Sequence, residues 1–381
     1  MEKLKHETKL ETSLVDEQYE DLGASLSGSF MNLSYKGGAR AYYSQFGKDV
    51  QERFVVGSDG KVCARFTAFT RELYQKDQGT VKVLFVANVR TANTREALVG
   101  WSEKLLPEIL KLKKDLVCDH SLFFLSRRER GLFNFFIRPR KKRDDQIRFS
   151  HLRGVEVQIV QGQKFFPEKP LEHIEIRRAK ESDLEKLSGY IKQASKYAPL
   201  SRHLREGEVL QEFKSVKNFS PEDLALAFDG NGEIVGSLGA INMNSHADIK
   251  FKFNDLLEPT FNVLQGYLRS ASWITDLRPV SEETPQSVIF FTHMYFNNHD
   301  IFYSLICWWI KQTKLVTKKE RPVFLYPFYK GDLKAAPPES LFVSGFKGDL
   351  YLMQDTGELP SDLLKPVLFS ESLDIDLPYL I

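Results

Sequence analysis

Apolar positions along this chain follow two rhythms, and the sharpest change between them lies in the stretch Val81–Leu112. Its first part, VKVLFVANV, is almost unbroken apolar, rich in β-branched residues, and stops at Asn88-Val89. That pattern predicts a buried central strand. Arg90-Thr91-Ala92 follows as a polar turn. Asn93, with Glu96 three residues on, makes a capping-box pattern that opens a helix at about Thr94. Ala97, Leu98, Trp101, Leu105, Ile109 and Leu112 then recur at roughly helical spacing, which lays one face of the helix on the sheet. Pro107 should bend it.

The remaining elements follow the same reading. Residues 1–28 form a polar, partly helical lead-in, and a helical candidate spans Ala39–Val50. Phe54–Val56, the turn Gly57-Ser58-Asp59-Gly60 and Val62–Phe66 make a hairpin signal. Another strand falls at Ser121–Leu125. The second half repeats the order. Ile174–Arg178 reads as a strand, and Ser182 with Glu185 caps a helix carrying Leu184, Leu187 and Ile191. A hairpin, Leu224–Phe228 and Ile234–Ile241, turns at Asp229–Gly232. Then come the strand Val288–Met294, the helix Ile301–Lys314, the strand Pro322–Tyr326 and a closing hairpin in Gly345–Met353. Only Asn242–Gln286 lacks a counterpart. The repeat predicts an α/β protein of two tandem domains, 29–170 and 171–381, joined near Phe165–Leu171, each a mixed sheet flanked by helices.

Composition sharpens the picture. With 381 residues, 42% of them apolar and 29 of them Phe, the chain can fill two cores of ordinary size. A net charge of +2 points to neither a nucleic acid nor a membrane surface as the main partner. Cys63, Cys118 and Cys307 are too few and too far apart for a disulfide framework or a zinc site, so no metal is expected. The opening residues lack an apolar signal core, and the most apolar run, Ile301–Ile310, is half a membrane span. A cytoplasmic protein is expected.

A helix start after a central strand presents unpaired N–H groups and the positive end of a dipole, a ready site for phosphate. The plainer reading is an ordinary strand–helix joint. Neither GxxxxGK[ST] nor GxGxxG is present, which excludes the usual P-loop and dinucleotide signatures. One basic segment stands out: Arg127, Arg128, Arg130, Arg138, Arg140, Lys141, Lys142 and Arg143, with Phe133, Phe135 and Phe136 between. Such mixtures can track a nucleic-acid backbone. Asp144 and Asp145 follow at once and no nucleic-acid motif is present. The segment reads as a solvated loop, with a phosphate contact or an acidic partner as alternatives.

Together IEIRRAKESDLEKL, LAFDGNGEIVGSLGAI and the strand–turn–helix after them resemble an acyl-CoA N-acyltransferase domain of the GNAT type. FVVGSDGKVCARFTAF followed by VKVLFVANVR resembles a second. The resemblance covers about residues 30–355 and implies a tandem-domain acyltransferase that moves an acyl group, acetyl in the simplest case, from acyl-CoA to an amine. It implies a bulge where the fourth strand splays from the fifth, with acyl-CoA in the gap, and a Q/R-x-x-G-x-G/A turn for the pyrophosphate. The nearest match to that turn, Ala97-Leu-Val-Gly100-Trp-Ser102, would interrupt the helix. The alternative is the turn after the central strand, so Asn88, Val89, Arg90, Thr91, Asn93, Thr94 and Arg95 are the expected acetyl-CoA positions. In the second half, His293–Asp300 has no glycine before its helix, which suggests a non-binding copy. Catalysis in this family needs a general base and an acid for the thiolate, often Tyr. Glu129 lies among arginines, Tyr326 and Tyr329 follow the strand of the weaker half, and His293 reads as a core histidine, so no catalytic residue is assigned. The rival readings are the same fold without catalysis, as a ligand-sensing or interaction protein, and a binder acting through Arg127–Arg143. The amine acceptor, small molecule or protein, is not named by the sequence.

Overall fold

A computed structural model describes residues 9–12, 31–75, 79–92, 94–127, 147–163, 171–196, 198–201, 213, 215–251, 287–313, 322–355 and 375. The chain forms two compact units. The first comprises 1–155, 347–370 and 378–381, and the second 156–346 and 371–377. Strand Ile147–Gln163 carries the chain out of the first unit, and strand Leu341–Asp355 carries it back.

In the first unit the elements are β1 (Lys9–Glu11), β2 (Met31–Tyr35), α1 (Gly38–Tyr43), β3 (Lys48–Val56), β4 (Val62–Gln75) and β5 (Gly79–Thr91), then α2 (Arg95–Gly100), α3 (Leu106–Asp115), β6 (His120–Ser126) and the first half of β7 (Ile147–Gln163), whose remainder from Glu156 belongs to the second unit. The sheet runs β1-β3-β4-β5-β6, and next to β6 lies the second half of the chain's last strand, Leu341–Asp355. Neighbours are antiparallel up to β5, and β5–β6 is parallel. The apolar run of β5 reflects cover on both faces. Leu84, Val86 and Val89 meet Trp101, Leu105, Ile109 and Leu112 on one side. On the other, Phe85 stacks on Phe69 at 5.3 Å and Phe69 on Tyr43 of α1 at 5.2 Å.

The second unit holds β8 (Glu175–Arg178), α4 (Leu184–Ala194), β9 (Leu224–Phe228), β10 (Ile234–Asn242), β11 (Ala247–Phe251), β12 (Val288–Phe296), α5 (His299–Thr313), β13 (Val323–Tyr329) and the first half of β14 (Leu341–Asp355). Its order is β13-β12-β10-β9-β8, with β12–β13 parallel and the other pairs antiparallel. Helix α5 buries Phe302, Leu305, Ile306 and Trp309 against Ala227, Leu238 and Phe291, which accounts for its nearly continuous apolar sequence.

Several expectations change in detail. The helix expected over Ala39–Val50 ends at Tyr43, and β3 starts at Lys48, because Val50 and Phe54 turn into the core from an extended chain. The cap of α2 is Thr94, whose Oγ1 accepts from the Ala97 N–H at 3.2 Å, while Glu96 reaches the Ser58 N–H at 2.9 Å. Asn93 lies outside the described residues. The helix does not simply bend at Pro107. Between α2 and α3 it widens into a π turn over Trp101–Leu105, and Pro107 enters the first turn of α3, where a missing N–H costs little. Asp183, rather than the Ser182–Glu185 pair, closes the start of the α4 segment by accepting the Lys180 N–H at 2.8 Å and a two-pronged bond from Arg177 at 2.6 and 2.8 Å. Residues 345–353 form part of one long strand rather than a hairpin.

Candidate active site

The parallel pair β5–β6 is in register only from Val83–His120 to Val86–Phe123. Beyond it β5 runs on to Thr91 and β6 to Ser126, and on its other edge β5 breaks register with β4. Arg65 faces Arg90 and Thr67 faces Ala87, so Asn88 and Val89 share the place opposite Phe66. This is a β-bulge, one extra residue that bends the strand. Asn88 has φ 50°, a left-handed conformation that Asn adopts more cheaply than a β-branched residue. Its buried amide accepts from Arg65 at 3.3 Å and donates to Thr67 Oγ1 at 3.4 Å.

Around that bulge, on the face that carries α1, the sheet collects polar groups: Tyr43, Asn88 and Arg90 are buried, and Tyr35, Glu52 and Arg65 are partly buried. Tyr35 and Tyr43 hold their hydroxyls 3.0 Å apart. Burial raises both phenol pKa values, and for Tyr35 it outweighs the opposing pull of Tyr43, Arg90 and Arg65. Burial also raises the Glu52 carboxyl, against the lowering influence of Arg65 and Arg40. The Arg65 guanidinium is lowered to about 10, first by burial and then by Arg90. A carboxylate with raised proton affinity beside neutral hydroxyl donors is the equipment of acid–base chemistry. Neither Glu52 nor Tyr43 emerges from the sequence reading. Glu52 sits next to a stretch read as helix, and its partners come from other strands. The signal was a charged residue two places before the apolar run Phe54–Val56, on what proves to be the inward face.

The sequence-derived positions divide across the sheet. Asn88 and Arg90 join the polar cluster, and Arg90 is buried within the strand rather than standing on a turn. Val89 packs into the opposite core beside Trp101. Thr91 Oγ1 donates to the Ala92 carbonyl. Thr94 and Arg95 are exposed at the start of α2. There the N–H groups of Ala97 and Leu98 are taken by the Thr94 side chain and carbonyl, and Glu96 brings a negative charge into the first turn. Gly100 lies within α2 and not on a turn. A Cβ on it would meet Val55 Cγ1 at 2.7 Å, so its task is close helix–sheet packing. Burial pushes the thiol of Cys63 up to about 12 and that of Cys118 to about 11, which makes them poor nucleophiles.

The second unit repeats the bulge at the matching place. Ser237 faces Tyr295 and Gly239 faces Thr292, which leaves His293 and Met294 opposite Leu238, with His293 at φ 49°. Its β12–β13 pairing stops at Phe290–Leu325. The surroundings are different. His293 lies against Phe219 at 5.7 Å and Phe213 at 6.1 Å, and its Nδ1 is 3.1 Å from Thr292 Oγ1, as expected of a satisfied core histidine. Ser237 Oγ donates to the His293 carbonyl at 3.0 Å. The Tyr326 hydroxyl, just beyond the paired part of β13, is buried without a hydrogen-bond partner, and burial raises its pKa. Tyr329 donates to the Ile375 carbonyl at 2.6 Å. At the start of α5, Asn298 Oδ1 accepts from the Ile301 N–H at 3.0 Å and Asp300 adds a negative charge.

Of the basic segment, Arg127 alone lies within the described residues, and it forms a two-pronged bond to Asp349 at 2.6 and 2.7 Å. Among the described residues no three His, Cys, Asp or Glu side chains gather as metal ligands, and no helix is long and apolar enough to cross a membrane.

In each unit a mixed sheet has a parallel pair that ends beside a bulge and is followed by a helix, and the chain has the fold of GCN5-related N-acyltransferases. The GCN5-related glucosamine N-acetyltransferase region of a fungal multi-domain GH3 β-N-acetylglucosaminidase superposes with a TM-score of 0.53 at 13% identity, over 92% of this chain and 38% of that one. Saccharomyces cerevisiae N-myristoyltransferase with bound myristoyl-CoA gives a TM-score of 0.53 at 9% identity, over 91% and 78%. At such identities the likeness is one of fold. No family model and no curated protein sequence matches the chain.

Proposed function

We propose that the protein is an acyl-CoA-dependent N-acyltransferase that works at the opened seam of its first unit, and that the second unit is a non-binding copy of the same domain. One observation carries this reading: the Asn88 bulge stands beside a partly buried acid–base cluster, whereas the matching His293 bulge is packed with aromatic rings. The thioester of acetyl-CoA would lie between β5 and β6. Glu52 takes the proton of the incoming ammonium, the freed amine attacks the thioester carbonyl, the C–S bond breaks, and the CoA thiolate leaves as the thiol after protonation. The hydroxyl pair Tyr35–Tyr43 supplies neutral donors near that point. Three buried cysteines, none of them in a disulfide, fit a reducing compartment such as the cytoplasm.

A second reading has its own support. Thr94 and Glu96 already occupy the helix start where a pyrophosphate would dock, as expected of a fold kept for sensing or partner binding. Isothermal titration with acetyl-CoA and with CoA separates the two. Micromolar binding, followed by release of free thiol when amines are added, is the expected result. Absence of binding at millimolar ligand overturns the enzyme reading.

A further inference from the structure

We infer that Arg65 is a docking point for an anionic group, carboxylate or phosphate, carried by the acceptor amine. The inference rests on the acyltransferase reading for the word acceptor and on geometry for the anion. Arg65 lies on β4 directly across from Arg90 of β5. Like charges opposed across a sheet repel, so this pairing is not there for the sheet's own stability. The Arg65 fork donates to the amide oxygen of Asn88 at 3.3 Å, a long bond to a neutral group. Its Nε is buried and has no hydrogen-bond partner. Glu52, the acid that acts on it electrostatically, accepts a hydrogen bond from the Arg40 backbone. A guanidinium partly drawn out of water gains from an anion that offsets the loss of hydration, and the buried Nε donor calls for a ligand or water.

Position narrows the ligand. The Asn88 amide that touches Arg65 belongs to the bulged residue itself, so whatever Arg65 holds is anchored beside the opened seam. Arg65, Thr67 and Glu52 occupy paired positions facing one side of the sheet, the side of α1. Helices α2 and α3, whose start would face the pyrophosphate of CoA, pack on the other. The anion therefore belongs to the second substrate. The planar fork of Arg matches the two oxygens of a carboxylate or phosphate, while an amine with an uncharged tail would leave Nε unpartnered.

The test uses acetylated amines as product-type ligands, which need no turnover. Thermal melts of the full chain are recorded with N-acetylglycine and N-acetylglucosamine 6-phosphate, each against its uncharged counterpart, N-acetylglycinamide or N-acetylglucosamine. A charged ligand at ten times its Kd is expected to raise Tm by about 3–6 °C, its counterpart by much less. Which charged compound acts tells carboxylate from phosphate. The response is expected to vanish in Arg65→Met and to weaken in Arg65→Lys, which keeps charge but not the fork. Equal shifts from charged and uncharged partners, or an undiminished response in Arg65→Met, would overturn the inference. Because acetyl-CoA plays no part in these melts, failure of the acyltransferase reading is seen separately by titration.

Discussion

Asp349 shows how a single carboxylate is held charged inside the first unit. It is 1% exposed, yet it accepts two bonds from Arg127 and lies 3.1 Å from His151 Nε2. Burial alone would push its carboxyl up, but Arg127, helped by His151, holds it below the ordinary value of 3.8. A depressed folded-state pKa contributes stability above the unfolded value, and that contribution is lost as pH falls through the depressed one. Asp349→Asn is therefore expected to cost about 1–3 kcal/mol at neutral pH, nearer the lower figure because Arg127 is half in solvent and can rehydrate. Urea unfolding at pH 7 and again below 3.8 is the check, with the gap between wild type and variant closing in acid. Nothing in the sequence marks this pair. Arg127 reads as one member of a basic run, and its partner lies more than two hundred residues away along the chain.

At the scale of elements, the fit of α2 to the sheet depends on one absent side chain. Gly100 lets the helix approach Val55 so closely that an added Cβ would sit 2.7 Å from Cγ1. Gly100→Val is expected to destabilise by about 1–3 kcal/mol, and Val55→Ala in the same chain should return part of that loss, as a double-mutant cycle in denaturant can measure. How far such elements can be read from sequence depends on what covers them. The run of β5 is legible because both of its faces are buried, and α5 because Ile301–Ile310 is apolar throughout. The start of β3 is not, because Lys48, Asp49, Gln51, Glu52 and Arg53 look solvent-facing. Arg53 is in fact 8% exposed, paired with Glu108 of α3 at 2.9 Å, and Glu52 turns toward Arg65. For the candidate site, Asn88 is marked by the end of an apolar run. Arg65 and Glu52 reach it only through strand register, which local pattern does not encode.

For the whole molecule, the two bulges occupy the same place in two units, yet one is lined by Arg65, Thr67 and Asn88 and the other by Phe213, Phe219 and His293. One acetyl-CoA per chain is therefore expected in titration, and Asn88→Val should abolish it while Phe219→Ala leaves it unchanged. Binding of two equivalents would show that the second seam is also a site. The route of the backbone has a further outcome. Strand β14 supplies Tyr351 and Met353 to the core of the first unit and pairs with β6. A ribosome making this protein passes residue 155 and must add roughly two hundred more before that strand exists, a wait on the order of 10–40 s. Until then the edge of β6 that β14 will cover has no partner strand, and an uncovered edge invites pairing with other chains.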